Sequence, residues 1–444
     1  MKKKRQSSMS ERVVQNERET PLSDSRWLFV ICFLVYSASY IARGSFSFVR
    51  ATMIEDGTLS IGIAGAVSAA YFIFYAVGQL INGFLGDKLS PFWMVCVGLS
   101  VVVASNLMMT LTQPSYLYVL WWGINGYGHS MLWSPVFFVI SNVINGKMRI
   151  FALTAISICA PAGKIASALV SSAVMVGGDW ARVFFVVSLI SVAVLLIWAV
   201  RYLTLKNKIV IPSGIVEAKD NNEKKHRIGA KRIFVLLLSS GVIIMLPAML
   251  VHGLFYNGVV ELIPTILYEE YAMTASMAAV IEIIIPVLSI VGVFFANFVY
   301  FKIFKQNDMR SAAFLMAVSL VPLVIMLVLA LFKRDGYMLG QYPDAIIFVT
   351  TYALVYLFQF AFNHVAIVLL PARFARFSCS STLSGIANAI NYGGSAISTY
   401  GMTYALLTLP LWQTVLIWTA LLVVASILVF LAQLRWKTFS REIC

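Results

Sequence analysis

The chain of 444 residues is 60% hydrophobic and only 12% charged, with a mean hydropathy of +0.86. A soluble body of this length needs far more polar side chains on its surface, so the composition excludes a soluble globular protein and predicts an integral membrane protein. The formal net charge is +14. The basic residues are concentrated before and between the apolar segments, as the positive-inside rule expects, so this charge does not indicate nucleic acid as a partner.

The first 25 residues are polar and of mixed charge. No apolar core follows the basic cluster of Lys2 to Arg5, so we expect a cytosolic tail over residues 1–25 and not a signal peptide. Five cysteines are spread along the chain without a CxxC pair: Cys32, Cys96, Cys159, Cys379 and Cys444. They indicate buried thiols, and neither a disulfide framework, a metal site nor a cofactor is predicted.

Long apolar runs recur, each near the ~20 residues that a helix needs to cross about 30 Å of hydrocarbon. Six runs precede a polar stretch: 27–49, 59–85, 92–111, 116–143, 150–176 and 181–203. Six more follow it: 233–267, 274–300, 311–332, 345–370, 381–406 and 412–434. The seventh run is overlong, so either it begins as an interfacial segment or it bends at Pro247. The sequence therefore predicts an all-α integral membrane protein with twelve transmembrane helices.

Most basic residues of the short loops fall on one side of this alternation: Lys88, Lys147, Arg149, Lys302, Lys305, Arg310, Arg373, Arg376, Arg435 and Lys437. The few exceptions on the other side are Arg182, Lys333 and Arg334. By the positive-inside rule the side that carries most of these residues is the cytosol, so we expect both termini to be cytosolic in a multi-pass protein of the plasma (inner) membrane. The expected domains are an N-terminal tail (1–25), a six-helix bundle (26–205), a basic cytosolic linker (206–232), a second six-helix bundle (233–436) and a C-terminal tail (437–444).

An internal repeat supports the division into two bundles. Three residues of helix 5 are matched at identical spacing in helix 11: Ser157, Gly163 and Ser167 by Asn388, Gly394 and Ser398. Repeated halves around a central site are a frequent transporter architecture, and small residues let helices approach closely.

Among the charged residues within the apolar runs we single out Arg43, Lys164 and Glu282. Arg43 is deep in the first run, one turn after Tyr40. A guanidinium in hydrocarbon costs about 2.5 kcal/mol or more, so Arg43 predicts a watery cavity with a site for an anionic cargo. Lys164 and Glu282 are open to two interpretations. Either they neutralise each other, or Lys164 is a second cation for the cargo and Glu282 is a proton carrier. Helical rise places them at similar depths, so we predict a conformation-dependent salt bridge.

Over nearly its whole length the chain resembles the major facilitator superfamily. The segment from Gly83 to Lys88 is similar to its short cytosolic signature, in which the acidic and basic residues, here Asp87 and Lys88, bridge helices. Within the superfamily the chain resembles the organophosphate:phosphate antiporters in three stretches. These are the tyrosine-tyrosine-arginine spacing of helix 1, residues 122–126 with 130–135 of helix 4, and residues 384–388 with 392–394 of helix 11.

The resemblance implies the major facilitator fold and, together with the residue types, a set of candidate side chains. The candidate substrate-binding residues are Tyr36, Tyr40, Arg43, Tyr75, Asn125, His129, Trp133, Tyr256, Asn257, Asn388 and Tyr392. The candidate gating or coupling residues are Asp87, Lys88, Lys164 and Glu282. His129 is ranked ahead of His252 and His364 because it lies beside the helix 4 motif, although a buried histidine is more often a packing residue than a proton carrier.

The chain also departs from the antiporter pattern. The family's second substrate-binding arginine falls at Tyr256, its helix 2 lysine at Gln79 and its helix 5 histidine near Cys159. A phosphate monoester would therefore meet one strong cation where the family offers two. This departure favours a monoanionic carboxylate or a larger conjugate over strict phosphate exchange.

Three functions remain open at the level of sequence. The first is a secondary transporter of small organic anions, with a proton or phosphate as a possible coupling ion. The second is a ligand sensor of the same fold, and the third is a proton-coupled exporter of amphipathic compounds. An enzyme is not predicted, because no run carries a nucleophile–base pair, a phosphate loop or metal-ligand spacing. The expected partners are a small anionic solute and the lipid bilayer, and the resemblance implies a monomer.

Overall fold

A computed structural model describes residues 19–111, 113–210, 229–273, 275–333 and 336–443. These residues form twelve helical runs, which we label α1 to α12, and contain no β-strand. Most of the predicted N-terminal tail and most of the predicted linker lie outside the described residues.

The first six runs follow the predicted order with short connections. They are α1 (Leu22–Glu55), α2 (Ile61–Gly86), α3 (Pro91–Met109), α4 (Ser115–Phe138, continued by a π-helix at Val139–Val143), α5 (Gly146–Val174) and α6 (Trp180–Leu205). Several starts carry a side-chain cap: Ser60 accepts from the Ile63 amide, and Asp179 accepts from the Arg182 amide. The first run is longer than its predicted 27–49, because the helix continues at both ends through polar residues that the apolar pattern did not include.

The last six runs contain more interruptions. They are α7 (Ala230–Ser240, Val242–Gly253, a π-helix at Leu254–Val259 and Val260–Tyr271), α8 (Ala275–Phe298 with a π-helix at Val299–Ile303), α9 (Asp308–Val318 and Leu320–Phe332), α10 (Gln341–Asn363, a π-helix at His364–Leu369 and Leu370–Arg373), α11 (Ser380–Thr408) and α12 (Leu411–Ile443). The overlong seventh run is divided at Gly241, whose φ of 78° ends the first segment. The helix continues through Pro247, and a bend there stays a prediction.

Ten of the helical runs in the described residues are long and apolar enough to span a membrane. The two that fall outside this set are α4 and α11. Both carry many polar side chains that are buried inside the protein, such as Asn125 and Ser130 on α4 and Ser384 and Asn391 on α11. A helix shielded from lipid by its neighbours tolerates such residues, which explains why the criterion of apolar length does not select these two.

The internal repeat corresponds to equivalent packing in the two halves. Ser167 of α5 packs against Gly44 of α1, and Ser398 of α11 packs against Gly258 of α7. The residues that precede these glycines are Arg43 and Asn257, which are 214 positions apart. The repeat therefore makes Asn257 the counterpart of Arg43 in the second half.

The two halves meet closely on one side of the molecule. We call this the termini side, because Leu22, Asp87 and the end of α12 lie there, and we call the side of Glu55 and Asp179 the opposite side. On the termini side α2 packs directly on α11. A Cβ atom at Gly385 would come within 2.5 Å of the Gly83 Cα atom, so only glycine allows this approach.

Candidate functional site

Two cavities lie between the halves, one on each side of Tyr40, which lines both. The larger has a volume of about 400 Å³ and is lined by the parts of α1, α2 and α5 that lead to the opposite side. Its polar lining includes Arg43, Lys164 and Asn257. The smaller has a volume of about 30 Å³ and lies toward the termini side. A volume near 400 Å³ is within the range of roughly 300–1,000 Å³ that is usual for small-molecule sites.

Arg43 lies where the two halves face each other. Its Nη1 donates to the Tyr392 hydroxyl at 2.5 Å, and its Nη2 donates to the Asn257 Oδ1 at 3.4 Å. Both acceptors belong to the second half of the chain. None of the ion pairs formed among the described residues involves Arg43. A guanidinium held by neutral groups at the wall of a cavity is arranged to bind an anion.

Aromatic rings surround the Arg43 guanidinium. Five ring centroids lie 4.8–5.7 Å from its Cζ, those of Tyr40, Tyr71, Phe72, Tyr75 and Tyr392. Ring faces stabilise a cation electrostatically, and they fix its planar fork in one orientation. They also offer apolar surface to the carbon skeleton of a bound molecule.

Asn257 owes its position to the π-helical segment of α7. Its Nδ2 donates to the Ser395 Oγ of α11 at 2.9 Å, and that hydroxyl lies 3.0 Å from the Gly253 carbonyl oxygen. These bonds turn the Asn257 carbonyl oxygen toward Arg43. A π-helical turn re-aims side chains within a helix and is frequent at functional sites.

The smaller cavity collects six of the predicted residues. They are Tyr36, Tyr40, Trp133, Tyr256, Asn388 and Tyr392. The Trp133 Nε1 donates to the Ser384 Oγ of α11 at 2.8 Å, and the Tyr36 ring packs 4.8 Å from the Trp133 ring. Tyr256 stacks on Tyr356 of α10, with the ring planes 6° apart. Trp133 therefore joins the halves directly beneath the Arg43 cavity.

Three of the predicted substrate-binding residues line neither cavity: Tyr75, Asn125 and His129. The centroid of the Tyr75 ring lies 5.7 Å from the Arg43 Cζ. The Asn125 Nδ2 donates to the Ser105 Oγ of α3 at 2.9 Å, so this amide is directed into the first half. The His129 Nδ1 lies 3.0 Å from the Asn125 carbonyl oxygen on the same helix, and the His129 ring packs against Tyr71. His129 therefore supports a residue of the Arg43 cavity, and Asn125 ties α4 to α3.

Lys164 lines the larger cavity together with Arg43, so α5 brings a second cation to it. The side chain of Glu282 lies outside the described residues, and the predicted pair with Lys164 is therefore still a prediction. The backbone of α8 packs against α5, and Ile285 and Pro286, about one turn beyond Glu282, line the same cavity.

Asp87 closes the termini side by capping α11. Its carboxylate accepts from the backbone amides of Ser381 and Thr382 at 3.1 and 2.7 Å and from the Thr382 hydroxyl at 2.8 Å. The N-cap residue Cys379 makes no side-chain cap bond of its own. Burial raises the Asp87 pKa to about 6, against hydrogen bonds that lower it. The Asp87 carboxyl is thus mostly ionised at pH 7. Its negative charge then lies at the positive end of the α11 dipole.

The other predicted gating residue in the signature, Lys88, is exposed. Its Nζ lies 3.2 Å from the centroid of the Phe84 ring on α2. In this state of the molecule Asp87 bridges to the other half, and Lys88 contacts its own helix.

Sequence reasoning missed several residues of the larger cavity, among them Tyr71, Phe72 and Tyr356. A signal for Tyr71 was present, since it lies one helical turn before Tyr75 and therefore on the same face of α2. For Tyr356 no comparable signal existed, because its place opposite Arg43 depends on how α10 packs.

The family model of the Major Facilitator Superfamily matches residues 32–399. The chain belongs to the major facilitator superfamily. It is accordingly a multi-pass membrane protein with the fold of that superfamily. The fold agrees with a solved proton:xylose symporter, which matches with a TM-score of 0.66 and 12% identity over 91% of this chain and 95% of that chain.

Curated relatives in the superfamily match over shorter segments. A probable hexose phosphate transport protein of Chlamydia trachomatis is 31% identical over 108 residues, 24% of this chain and 24% of its own length. A sugar phosphate exchanger 3 of Gallus gallus is 31% identical over 128 residues, 27% of this chain and 25% of its own length. The matches therefore span about a quarter of these relatives. Their names confirm the resemblance to organophosphate antiporters.

Proposed function

We propose that this protein is a secondary active transporter that moves a small organic anion, a sugar phosphate or a carboxylate of similar size, across the membrane by alternating access. The observation that carries the proposal is Arg43, a cation at the wall of a cavity between the two halves, bonded across them to Tyr392 and Asn257. An anion at this site would contact both halves at once. Closure around it would then be coupled to its binding.

Closure of the termini side supports the proposal of alternating access, in which one side is closed while the other is open. Asp87 and Trp133 hold α11 on the termini side, while the cavity of Arg43 and Lys164 lies on the opposite side. Alternating access requires that these contacts break when the opposite side closes. If both termini are cytosolic, as the basic loops favour, the structure corresponds to an outward-facing state. The proposal also places the protein in the plasma (inner) membrane, where it acts as a monomer.

The charged and polar side chains of the site indicate which anionic groups it can bind. Arg43 presents the planar fork that suits a carboxylate or a phosphate, and Lys164 adds a point charge to the same cavity. Asn257 repeats Arg43 in the second half, and Tyr256 lies where the antiporter pattern has its second arginine, so neither position supplies a second cation. One fork and one lysine favour a singly charged group or a partly neutralised phosphate. The names of the hexose phosphate and sugar phosphate relatives support the same range of cargo.

A thermal-shift panel on the purified protein tests the substrate class. Glucose 6-phosphate, inorganic phosphate, glucuronate and lactate are titrated against the parent protein and against Arg43→Lys. A bound anion stabilises the folded state by mass action, so we expect a concentration-dependent rise in melting temperature for at least one sugar anion. The shift should shrink in Arg43→Lys. No shift with any of the four anions, or equal shifts in both proteins, would contradict the proposal.

A further inference from the structure

His252 of α7 is fully buried one turn before Tyr256, and its ring makes two side-chain hydrogen bonds to α10. Its Nδ1 lies 2.9 Å from the Gln359 Oε1, and its Nε2 lies 3.1 Å from the Asn363 Oδ1. Both ring nitrogens thus face amide oxygens, which accept hydrogen bonds and cannot donate them. A neutral imidazole carries one N–H, whereas the protonated ring carries two, so this arrangement suits the protonated ring.

The orientation of Gln359 is fixed by further bonds. Its Nε2 donates to the Ser319 Oγ at 2.9 Å, and that hydroxyl donates to the Met316 carbonyl oxygen at 2.6 Å. The Gln359 oxygen must therefore face His252, and the Nδ1 must carry a hydrogen. Whether Nε2 also carries a proton then depends on which atom of the Asn363 amide, the Oδ1 or the Nδ2, faces it.

Asn363 connects His252 to the smaller cavity. Its side chain is half-buried and lines that cavity together with Tyr256, whose ring packs 5.2 Å from the His252 ring. With the ring neutral, a half-turn of the amide lets the Asn363 Nδ2 donate to Nε2. With the ring protonated, Nε2–H can donate to the Asn363 Oδ1, which lies 3.1 Å from it. The site thus satisfies both protonation states at the cost of one amide rotation.

No carboxylate of the described residues contacts the His252 ring. Among the described residues, Tyr256 is the titratable side chain in contact with the ring; α10 presents Gln359, Asn363 and Phe362. The basic residue that α12 brings to α7 is Arg435. It packs against Gly241, which lies about three helical turns from His252. Neither α11 nor the π-helical segment of α7 places a charged side chain of the described residues on the ring.

We propose that His252 is the proton-binding site of the transporter, and that its protonation and the binding of the anionic cargo favour each other. This inference rests on the proposed function and adds its coupling ion. The proton adds to the lone pair of Nε2, and the resulting positive charge lies beside Tyr256, where the antiporter pattern has its second arginine. A buried imidazolium without a carboxylate partner is costly alone, and an anion in the adjoining cavities offsets that cost. The reverse holds equally, since such coupling is reciprocal.

The test measures protons taken up when an anion binds. Glucuronate and glucose 6-phosphate are titrated calorimetrically into the parent protein at pH 7 in buffers of different ionisation enthalpy. Glucuronate keeps its charge across this pH range, and any proton that glucose 6-phosphate itself exchanges is common to all variants. His252→Gln removes the proton site, and His364→Gln is the matched control, because His364 is equally buried, bonds to Ser157 and Asn297, and lines neither cavity.

We expect the parent protein and His364→Gln to take up about one additional proton per anion, with affinity rising up to about tenfold for each unit that the pH falls. His252→Gln should lose that proton and that pH dependence. If His252→Gln does not fold, Asn363→Asp provides the test, since a carboxylate on Nε2 keeps the ring protonated and removes the uptake. Equal proton uptake in the parent protein and in the folded variant would overturn the inference alone. Failure of both anions to bind the parent protein would overturn the proposed function on which it rests.

Discussion

At the scale of single residues, Arg43 determines the chemistry of the site. Its charge is surrounded by five aromatic rings and held by a phenol and an amide, and these groups fix the guanidinium without neutralising it. Removing a charged group from water is expensive unless an opposite charge approaches it. The cargo supplies that charge, so the cost of burying Arg43 is offset when the site is occupied.

We predict that Arg43→Lys weakens binding of glucose 6-phosphate or glucuronate at least about tenfold, which corresponds to roughly 1.4 kcal/mol. Lysine keeps the charge but loses the planar fork and its stacking on the rings. Arg50→Lys is the control, because Arg50 lies on the same helix and lines neither cavity. Calorimetric titration measures both affinities. Unchanged affinity in Arg43→Lys, with folding intact, would remove Arg43 from the site.

The residues of the site illustrate how far the sequence alone reaches. Arg43 could be found because an arginine in an apolar run has few explanations, and Asn257 and Tyr392 could be found by resemblance on α7 and α11. Asn125 could not be placed, because its direction toward Ser105 depends on how α3 and α4 pack. The amide orientations around His252 have no sequence signature. The orientation of the Gln359 amide arises from its bond to Ser319 on α9.

At the scale of helices, closure of the termini side depends on α2 and α11. The sequence predicted the signature from Gly83 to Lys88 and a bridge between helices. The structure adds its partner, the amino end of α11, which lacks a side-chain cap of its own and uses Asp87. The apolar runs predicted twelve helices, and ten of the helical runs in the described residues are long and apolar enough to span a membrane. The break at Gly241 and the π-helical segments were not predictable, because they depend on backbone conformation and not on hydropathy.

We predict that Gly385→Ala opens the termini side. A Cβ atom there meets the Gly83 Cα at 2.5 Å and the Gln79 carbonyl oxygen at 2.6 Å, so α2 and α11 must separate. Overpacking costs about 1–3 kcal/mol, enough to shift the populations roughly fivefold or more. Gly393→Ala is the control on the same helix, since nothing lies within 4 Å of its added methyl group.

Spin labels at Leu89→Cys and Arg376→Cys, in a background without the native cysteines, measure this separation by pulsed electron resonance. Leu89 and Arg376 are both exposed on the termini side. A longer distance population should grow in Gly385→Ala and stay at the parent level in Gly393→Ala. Identical distance distributions in all three proteins would show that the glycine contact does not control closure.

We also predict that Lys164 and Glu282 form a salt bridge between α5 and α8 that favours the state open to the termini side. The described backbones of the two helices pack against each other. Lys164→Ala and Glu282→Ala should each lower the unfolding free energy, by about 3–5 kcal/mol where the pair is buried, and exchange of the two residues should recover part of the loss. Single effects that simply add in the double variant would exclude the pair and leave Lys164 as a ligand of the cargo.

At the scale of the whole molecule, the two halves have different roles. The first half supplies both cations of the larger cavity, Arg43 and Lys164, and the second half supplies Asn257, Tyr392 and the proposed proton site at His252. The anionic cargo would therefore bind mainly to the cations of the first half, and the proton would bind to the second half. Closing around an anion neutralises the first half, and protonating His252 restores a positive charge in the second.

Counterflow in sealed proteoliposomes determines whether this protein moves a small organic anion across a membrane. Vesicles are loaded with unlabelled glucose 6-phosphate or glucuronate, and uptake of the same labelled anion from outside is followed. We expect labelled anion to accumulate transiently with the parent protein and with Arg50→Lys, and to accumulate at least about tenfold more slowly with Arg43→Lys at subsaturating anion. Binding of the anion without any accumulation would rule out transport and would identify a sensor of the same fold.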